Sequence, residues 1–296
     1  MWKFIIILFL LAGGLSMTPL CKDKRKAQME LEKKEISFTV DNFVEYAGKG
    51  DLSVTDAFIK GGIKVNGKNE KDVTALEAAI RKGFKNTVSR LLEAKADPRN
   101  TDKDGVPLVY IAAEKGFGDI AVNLVSKGAD INSRTPSGGT PLMAAASNGQ
   151  VTTCMILLKK GADINALDNS GNTALIYAAI KDQATLIDLL AGAKADVNIT
   201  TRDGIPLIVL VGRQGLIKVI EALVNNKVNM DAIDSGGRTA LMMAADNGHD
   251  ETVLYLIAKG ADVTMKDKNG MTALQYALRA NRAKSAELLR QGGAKE

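Results

Sequence analysis

The sequence repeats itself every 33 residues, and this period constrains the fold more than any other feature. Five units begin with a Thr-x-Leu triplet at intervals of 33 or 66 residues, namely at Thr74, Thr140, Thr173, Thr239 and Thr272. The two starts that the period requires in between are occupied by the Pro-Leu pairs at Pro107 and Pro206. A fixed period of this length is typical of proteins built from stacked structural repeats.

Other columns of the repeat predict the structure of one unit. Six glycines lie two residues before a start and predict tight turns, because glycine readily adopts a positive φ: Gly105, Gly138, Gly171, Gly204, Gly237 and Gly270. Nine residues after a start, glycine in five units and Asp182 and Asn281 in the other two predict the end of a short helix. A leucine follows eight residues later in all seven units, within a predicted second helix.

Each unit is therefore predicted to contain a hairpin tip, a short alanine-rich helix, a glycine turn and a leucine-rich helix. A small residue in the first helix, such as Ala79 or Ala145, lets neighbouring first helices approach closely. One unit cannot bury its apolar face alone, so the units have to stack. The predicted fold class is an all-α repeat, a solenoid of helix–turn–helix units with β-hairpin tips over residues 41–296.

Two stretches carry a resemblance to a known family. Residues 140–146 read Thr-Pro-Leu-Met-Ala-Ala-Ala before Gly149, and Gly-Ala-Asp-Ile-Asn follows at 161–165; residues 239–249 and 260–262 have the same pattern. These residues resemble the ankyrin repeat family, and the resemblance extends over residues 41–296. It implies a non-enzymatic protein-binding scaffold that uses its hairpin tips and the exposed edge of its first helices. We count about eight repeats, with starts near residues 41, 74, 107, 140, 173, 206, 239 and 272.

The chain departs from the family pattern in three ways. The family's histidine in the first helix is replaced in every unit, so we expect its hydrogen-bond network between neighbouring tips to be missing. Pro107 and Pro206 remove the threonine hydroxyl that would cap the first helix. Residues 41–66, with Asp41 in the threonine column, are interpreted as an atypical N-terminal capping repeat, and Arg290 makes the last unit a polar C-terminal cap.

The N-terminal residues have the pattern of a segment that enters an export pathway or a membrane. Lys3 precedes nine apolar residues, Phe4 to Ala12, and small residues follow, which is the order of a secretory signal peptide. Cleavage before Leu15 or Met17 fits this pattern. We therefore interpret residues 1–20 as a signal peptide or an N-terminal membrane anchor, and we expect a periplasmic, secreted or outer-surface location.

Cys21 and the charged residues after it leave alternatives open. A lipid on Cys21 would make the chain a bacterial lipoprotein, although Leu20 is not the small residue that this modification favours immediately before the cysteine. Four cations within residues 22–26 favour an uncleaved anchor instead, because positive charge tends to stay on the cytoplasmic side. Residues 21–40 are predicted to be a charged linker, either a solvated helix or a flexible stalk.

The composition leaves little room for enzyme chemistry. The chain has one histidine, His249, and two cysteines, Cys21 and Cys154, which are too few for a cysteine-based zinc cluster or a disulfide scaffold. It has no phosphate-binding loop, dinucleotide fingerprint or nucleophile elbow. We predict no catalytic residue, no cofactor and no metal site, and we assign structural roles to His249 and Cys154.

The resemblance also indicates where a partner would bind. Six positions per unit belong to the tip and the inner edge of the first helix, and over seven units fourteen of them are basic and five are acidic. This groove carries a net charge of +9, whereas the whole chain carries +5. The concentration of positive charge predicts a protein partner with an acidic surface and an association that weakens with salt.

Apolar residues at these positions cluster in three consecutive units, at Leu167, Ile180, Ile205 and Ile233. We expect them to form the centre of the binding surface, within a ring of four cations: Lys181, Arg202, Arg213 and Arg238. The alternative for Ile205 and Ile233 is that they pack only against their own hairpins.

A second hypothesis is that the basic groove binds nucleic acid or another polyanion. Aromatic residues, which stack on unpaired bases, make up only 4% of the chain, and this disfavours single-strand binding. We expect a monomer that meets a membrane only through its N-terminal segment.

Overall fold

The computed structural model describes residues 19–295, which contain seventeen α-helices and no β-strand. The chain divides into two compact units, Met1–Asp97 and Pro98–Glu296, here called the N-terminal unit and the C-terminal unit. Residues 1–18, and with them most of the predicted signal peptide or anchor, lie outside the described residues. Across residues 19–295, no helix combines the length and the apolar character needed to cross a membrane.

The N-terminal unit has one long helix followed by two helical pairs. Its helices are α1 (Pro19–Lys33), α2 (Val40–Lys49), α3 (Leu52–Lys60), α4 (Ala75–Lys82) and α5 (Lys85–Glu93). Helix α1 belongs to the segment predicted to be a charged linker, and one of its faces is packed against α3. Ala27 and Leu31 are buried there, and the Gln28 side chain donates a hydrogen bond to the carbonyl of Gly61 at 2.9 Å.

The C-terminal unit consists of six consecutive helical pairs. The first helices are α6 (Leu108–Glu114), α8 (Pro141–Ser147), α10 (Ala174–Ile180), α12 (Leu207–Gln214), α14 (Ala240–Asn247) and α16 (Ala273–Arg279). The second helices are α7 (Gly118–Ser126), α9 (Val151–Lys159), α11 (Ala184–Gly192), α13 (Ile217–Asn225), α15 (Asp250–Ala258) and α17 (Ala283–Gln291). Each first helix packs against the first helix of the next pair, and second helices stack in the same way.

The core is made by the columns that the sequence analysis singled out. The leucine of every second helix is fully buried, from Leu91 in α5 to Leu289 in α17. The alanine column of the first helices is also fully buried, and Val211 replaces alanine in α12. Next to it, Gly212 leaves no room for a side chain, because a Cβ there would lie 2.9 Å from the Ala240 carbonyl oxygen in α14. The prediction of close contact between first helices is confirmed.

Helix ends follow the predicted chemistry with one difference. The threonine at the start of five units caps its helix, as Thr74 does by accepting a hydrogen bond from the Glu77 N–H, whereas Pro107 and Pro206 make no side-chain cap. Helix α2 is capped by Thr39, two residues before the predicted position. The Asp41 side chain accepts instead from the N–H of Glu70, so it joins the first helical pair to the next tip.

Two buried threonines of the N-terminal unit should respond in opposite directions to the same substitution. Thr55 Oγ1 in α3 is buried without a hydrogen-bond partner, so Thr55→Val should stabilise the chain by about 1 kcal/mol. Thr74 Oγ1 caps α4, so Thr74→Val should destabilise it by about 1 kcal/mol. Urea unfolding of both variants measures the difference, and a loss of stability in Thr55→Val would contradict the assignment.

Candidate functional site

Each hairpin tip is held by a short oxygen-bearing side chain five residues before the unit start. This column contains Asn69, Asp102, Thr135, Asp168, Thr201, Asp234 and Asp267. In Asp168, for example, one carboxylate oxygen accepts from the N–H groups of Ser170 and Asn172, both at 2.8 Å. These bonds close each turn locally, and the tips form no strands within residues 19–295. Three of them close with an isolated β-bridge, as at Lys68 and Thr74.

Neighbouring tips are joined, although not by the histidine network of the family. In the first helix, Met143 Sδ and Met242 Sδ accept from the N–H of their threonine caps at 3.4 and 3.5 Å, and Gln275 uses its amide oxygen. The tips themselves are linked from one pair to the next by backbone and arginine hydrogen bonds. The Asn169 N–H donates to the Ser137 carbonyl at 3.0 Å, and Arg134 Nη1 donates to the Leu167 carbonyl at 2.6 Å.

Close contact between tips explains why glycine lies two residues before the unit start at two of the tips. Gly138 has a φ of 82°, and a Cβ there would lie 2.8 Å from the backbone nitrogen of Asn169 in the next tip. Gly171 faces the Cβ of Arg202 in the same way. Tip glycines at these two positions therefore provide space as well as backbone freedom, and they fix the spacing of the surface that the tips present.

Three of the four predicted apolar residues are exposed on this surface. Leu167 and Ile233 occupy the same column in tips two pairs apart and are 51% and 50% exposed, and Ile180, the last residue of α10, is 36% exposed. Packed helix axes lie about 8–10 Å apart, so Leu167 and Ile233 are separated by about 20 Å and do not touch. Ile205 is half-buried, which agrees with packing against its own hairpin.

The predicted cations differ in how far their charge is available. Lys181, Arg202 and Arg213 are exposed and form no ion pair within the described residues. Arg202 lies in the tip between Leu167 and Ile233, where its Nη1 donates to the Asn169 carbonyl at 3.1 Å. Further along the same surface, Lys266 and Lys268 are exposed and are also without an ion pair in residues 19–295.

Arg238 forms an ion pair within its own tip. Its Nε and Nη2 lie 2.8 and 2.6 Å from Asp234 Oδ2, and the Asp234 side chain is only 2% exposed. Burial alone would raise the pKa of Asp234, but the hydrogen bonds from Arg238 and from the N–H of Gly236 hold it below the ordinary value of 3.8. The positive charge of Arg238 is therefore largely balanced at the surface.

The neighbouring tip contains a second cluster of polar side chains that contact one another. Tyr276 in α16 donates its hydroxyl to Asp267 Oδ2 at 2.7 Å, and the guanidinium of Arg279 lies 4.7 Å from the centre of the Tyr276 ring. Burial and the bond to Asp267 raise the pKa of Tyr276 to about 12. Arg279 also pairs with Asp246 of α14, the first helix of the preceding pair, at 3.4 Å. These bonds stiffen the tips and remove Arg279 from the free cations.

His249 and Cys154 occupy structural positions. His249 precedes α15, and its Nε2 lies 3.0 Å from the Arg213 carbonyl of the preceding pair, so it joins two units. Cys154 is fully buried in α9, and burial raises the pKa of its thiol to about 12. Cys21 is an exposed free thiol in α1. No group of three or more His, Cys, Asp or Glu side chains in residues 19–295 is arranged to hold a metal ion.

Stacked helical pairs with tight polar tips are the architecture of one repeat family. The family model described as ankyrin repeats (3 copies) matches residues 43–135, 109–203 and 207–295. The chain belongs to the ankyrin repeat family. No curated protein matches its sequence significantly. Ankyrin repeats generally mediate protein–protein interaction, and proteins built from them are typically non-enzymatic scaffolds.

Sequence reasoning missed the tip oxygen column and the residues that neutralise the groove. The column could have been found, because every unit has Asn, Asp or Thr five residues before its start. The Asp234–Arg238 pair spans four residues of one tip, a spacing that could also have been found in the sequence. The Arg279–Asp246 pair joins two units, and no spacing in the sequence shows it. Exposed Met155 and Leu254 on the second helices were also missed.

The Asp234–Arg238 pair should make the tips sensitive to acid. The folded pKa of Asp234 is lowered, so its stabilising contribution is complete above the unfolded value near 3.8 and is lost as pH falls through the folded value. Asp234→Asn should lower the free energy of unfolding by about 1–2 kcal/mol at neutral pH. The difference from the original chain should shrink toward strong acid in urea titrations.

Asp203→Asn provides the control, because Asp203 is an exposed acid in the preceding tip. It should change stability little at any pH. A constant difference between Asp234→Asn and the original chain across the acid range would contradict the linkage between this carboxylate and tip stability.

Proposed function

We propose that the chain is a non-enzymatic scaffold that binds a protein with an acidic surface through the tips and inner helix edges of its C-terminal unit. The observation that carries the proposal is the coexistence of exposed apolar side chains and unpaired cations on one rigid surface. Leu167, Ile180 and Ile233 supply apolar contacts, and Lys181, Arg202 and Arg213 supply charge. Ile205 is half-buried and Arg238 is paired with Asp234, so we expect both to contribute less to this surface.

The arrangement favours a partner that follows the row of tips. Leu167 and Ile233 lie in one column about 20 Å apart, too far for one small side chain to contact both. Arg202 between them is held by the Asn169 carbonyl and remains exposed. Because the hydrogen bonds between tips fix these positions before binding, little conformational entropy is lost on association.

Alanine at Leu167 and at Ile180 should weaken partner binding without lowering the melting temperature. Truncation of a central contact in an interface typically lowers affinity by about 2 kcal/mol, or roughly 30-fold. Both side chains are exposed, so the effect on stability should stay within about 0.5 kcal/mol. The measurement is titration calorimetry with the partner, which is first identified by crosslinking in the native cell.

The matched control is the pair Met155→Ala and Leu254→Ala. These side chains are 53% and 54% exposed but lie on second helices, away from the tips. A partner that binds the proposed surface should still bind the control variants. It should no longer bind the chain that carries Leu167→Ala and Ile180→Ala. Equal loss in both pairs, or unfolding of the groove variants, would refute the assignment of this surface.

Salt dependence separates the protein partner from the nucleic-acid alternative. Neutralised phosphates release counterions, so nucleic-acid binding would show a steep fall of affinity with salt and little dependence on Leu167 or Ile180. An acidic protein should show a shallower salt dependence and a strong dependence on both side chains.

We further propose that the chain is exported, with a signal peptide cleaved before Leu15 or Met17, and that an uncleaved anchor is the alternative. The order of Lys3, nine apolar residues and small residues supports this. Intact-mass analysis after cell fractionation should find a soluble protein that begins at Leu15 or Met17. An added lipid mass on Cys21 would indicate a lipoprotein, and an intact Met1 in the membrane fraction would contradict cleavage.

A further inference from the structure

Helix α1 presents a basic face that the repeat pattern does not explain. Its solvent face is formed by residues spaced three and four apart, which therefore share one side of the helix: Lys22, Arg25, Lys26, Met29 and Lys33. Glu30 lies at the edge of the same face. The face carries four positive charges and one negative charge at its edge.

The packing of α1 fixes this face outward. Ala27 and Leu31 are buried against α3 on the opposite side, and the Gln28 hydrogen bond to Gly61 holds the helix in place. The helix therefore cannot rotate to hide its cations without losing buried apolar contact. This makes α1 a part of the folded N-terminal unit with one committed outer surface.

The charges on this face are available to a ligand. None of the four cations forms an ion pair within the described residues, and Glu30 lies 3.9 Å from Lys34. Met29 is 49% exposed among these cations. A cluster of four or more Lys and Arg side chains on a helix is a pattern that binds anionic lipid headgroups.

We infer that this face of α1 docks on an anionic lipid surface. Lys22, Arg25, Lys26 and Lys33 would contact phosphate headgroups, and Met29 would enter between them. The position of the helix in the chain supports a membrane over an acidic protein. Only residues 13–18 separate the apolar segment Phe4 to Ala12 from α1, and six residues span about 20 Å at most. As long as the apolar segment is attached, before cleavage or in the uncleaved anchor, the membrane that receives it therefore lies near this face.

The test compares binding of the full chain to neutral phosphatidylcholine vesicles and to vesicles that also contain phosphatidylglycerol. Lys22, Arg25, Lys26 and Lys33 are exposed, so their replacement by glutamine in one variant should leave the fold intact, as circular dichroism can verify. Each cation near a membrane contributes about fivefold to partitioning, so binding to anionic vesicles should fall at least about 100-fold. Met29→Ala should lower it by about fivefold.

The matched control replaces Lys64, Lys127, Lys159 and Lys160, which are exposed elsewhere, by glutamine. It makes the same change in net charge and should retain binding. Residues 1–18 contribute to both vesicle types, so the ratio of anionic to neutral binding isolates the contribution of α1. Equal binding to both vesicle types, or equal loss in the two quadruple variants, would overturn the proposal. The proposal would also be overturned if the glutamine variant of α1 lost binding to an acidic protein or to DNA while its binding to vesicles stayed unchanged.

Discussion

Burial of apolar columns between neighbouring helical pairs is the interaction on which the rest of the structure depends. A single pair has a leucine on its second helix and an alanine on its first, and neither finds enough partners within its own 33 residues. Stacking buries both, and the small side chains set how closely first helices approach. Where Val211 breaks the alanine column, Gly212 restores the space, so the spacing is maintained by compensation within one helix.

Because the core is supplied by these columns, the exposed side chains of the tips and outer faces are not needed to form it. The tips still need order, and the oxygen-bearing side chain five residues before each start provides it by accepting hydrogen bonds from N–H groups of its own turn. Hydrogen bonds from one tip to the next then replace the family's histidine network. A rigid row of tips results, with its exposed residues at fixed positions.

Charge on these surfaces has two different uses, which a count of residues cannot distinguish. Arg238 pairs with Asp234, and Arg279 pairs with Asp246 and lies over the Tyr276 ring. These contacts stiffen the tips. Lys181, Arg202 and Arg213 have no carboxylate partner in the described chain, and they remain available for binding. The outer face of α1 is of the second kind, on a helix whose other face belongs to the core.

The sequence by itself determined the fold class, most of the helix ends and the buried columns, because each depends on residues in one unit and the period repeats the signal. It also located Leu167, Ile180 and Ile233 on the exposed surface. Only the tertiary structure decided that α1 packs against α3, that Thr39 rather than Asp41 caps α2, and that Arg238 is paired while Arg202 is not. The packing of α1 and the bond of Arg202 to the preceding tip depend on which residues meet between elements distant in the chain. The Thr39 cap and the Asp234–Arg238 pair span only three and four residues, and they depend on the local backbone geometry, which exists only in the folded chain.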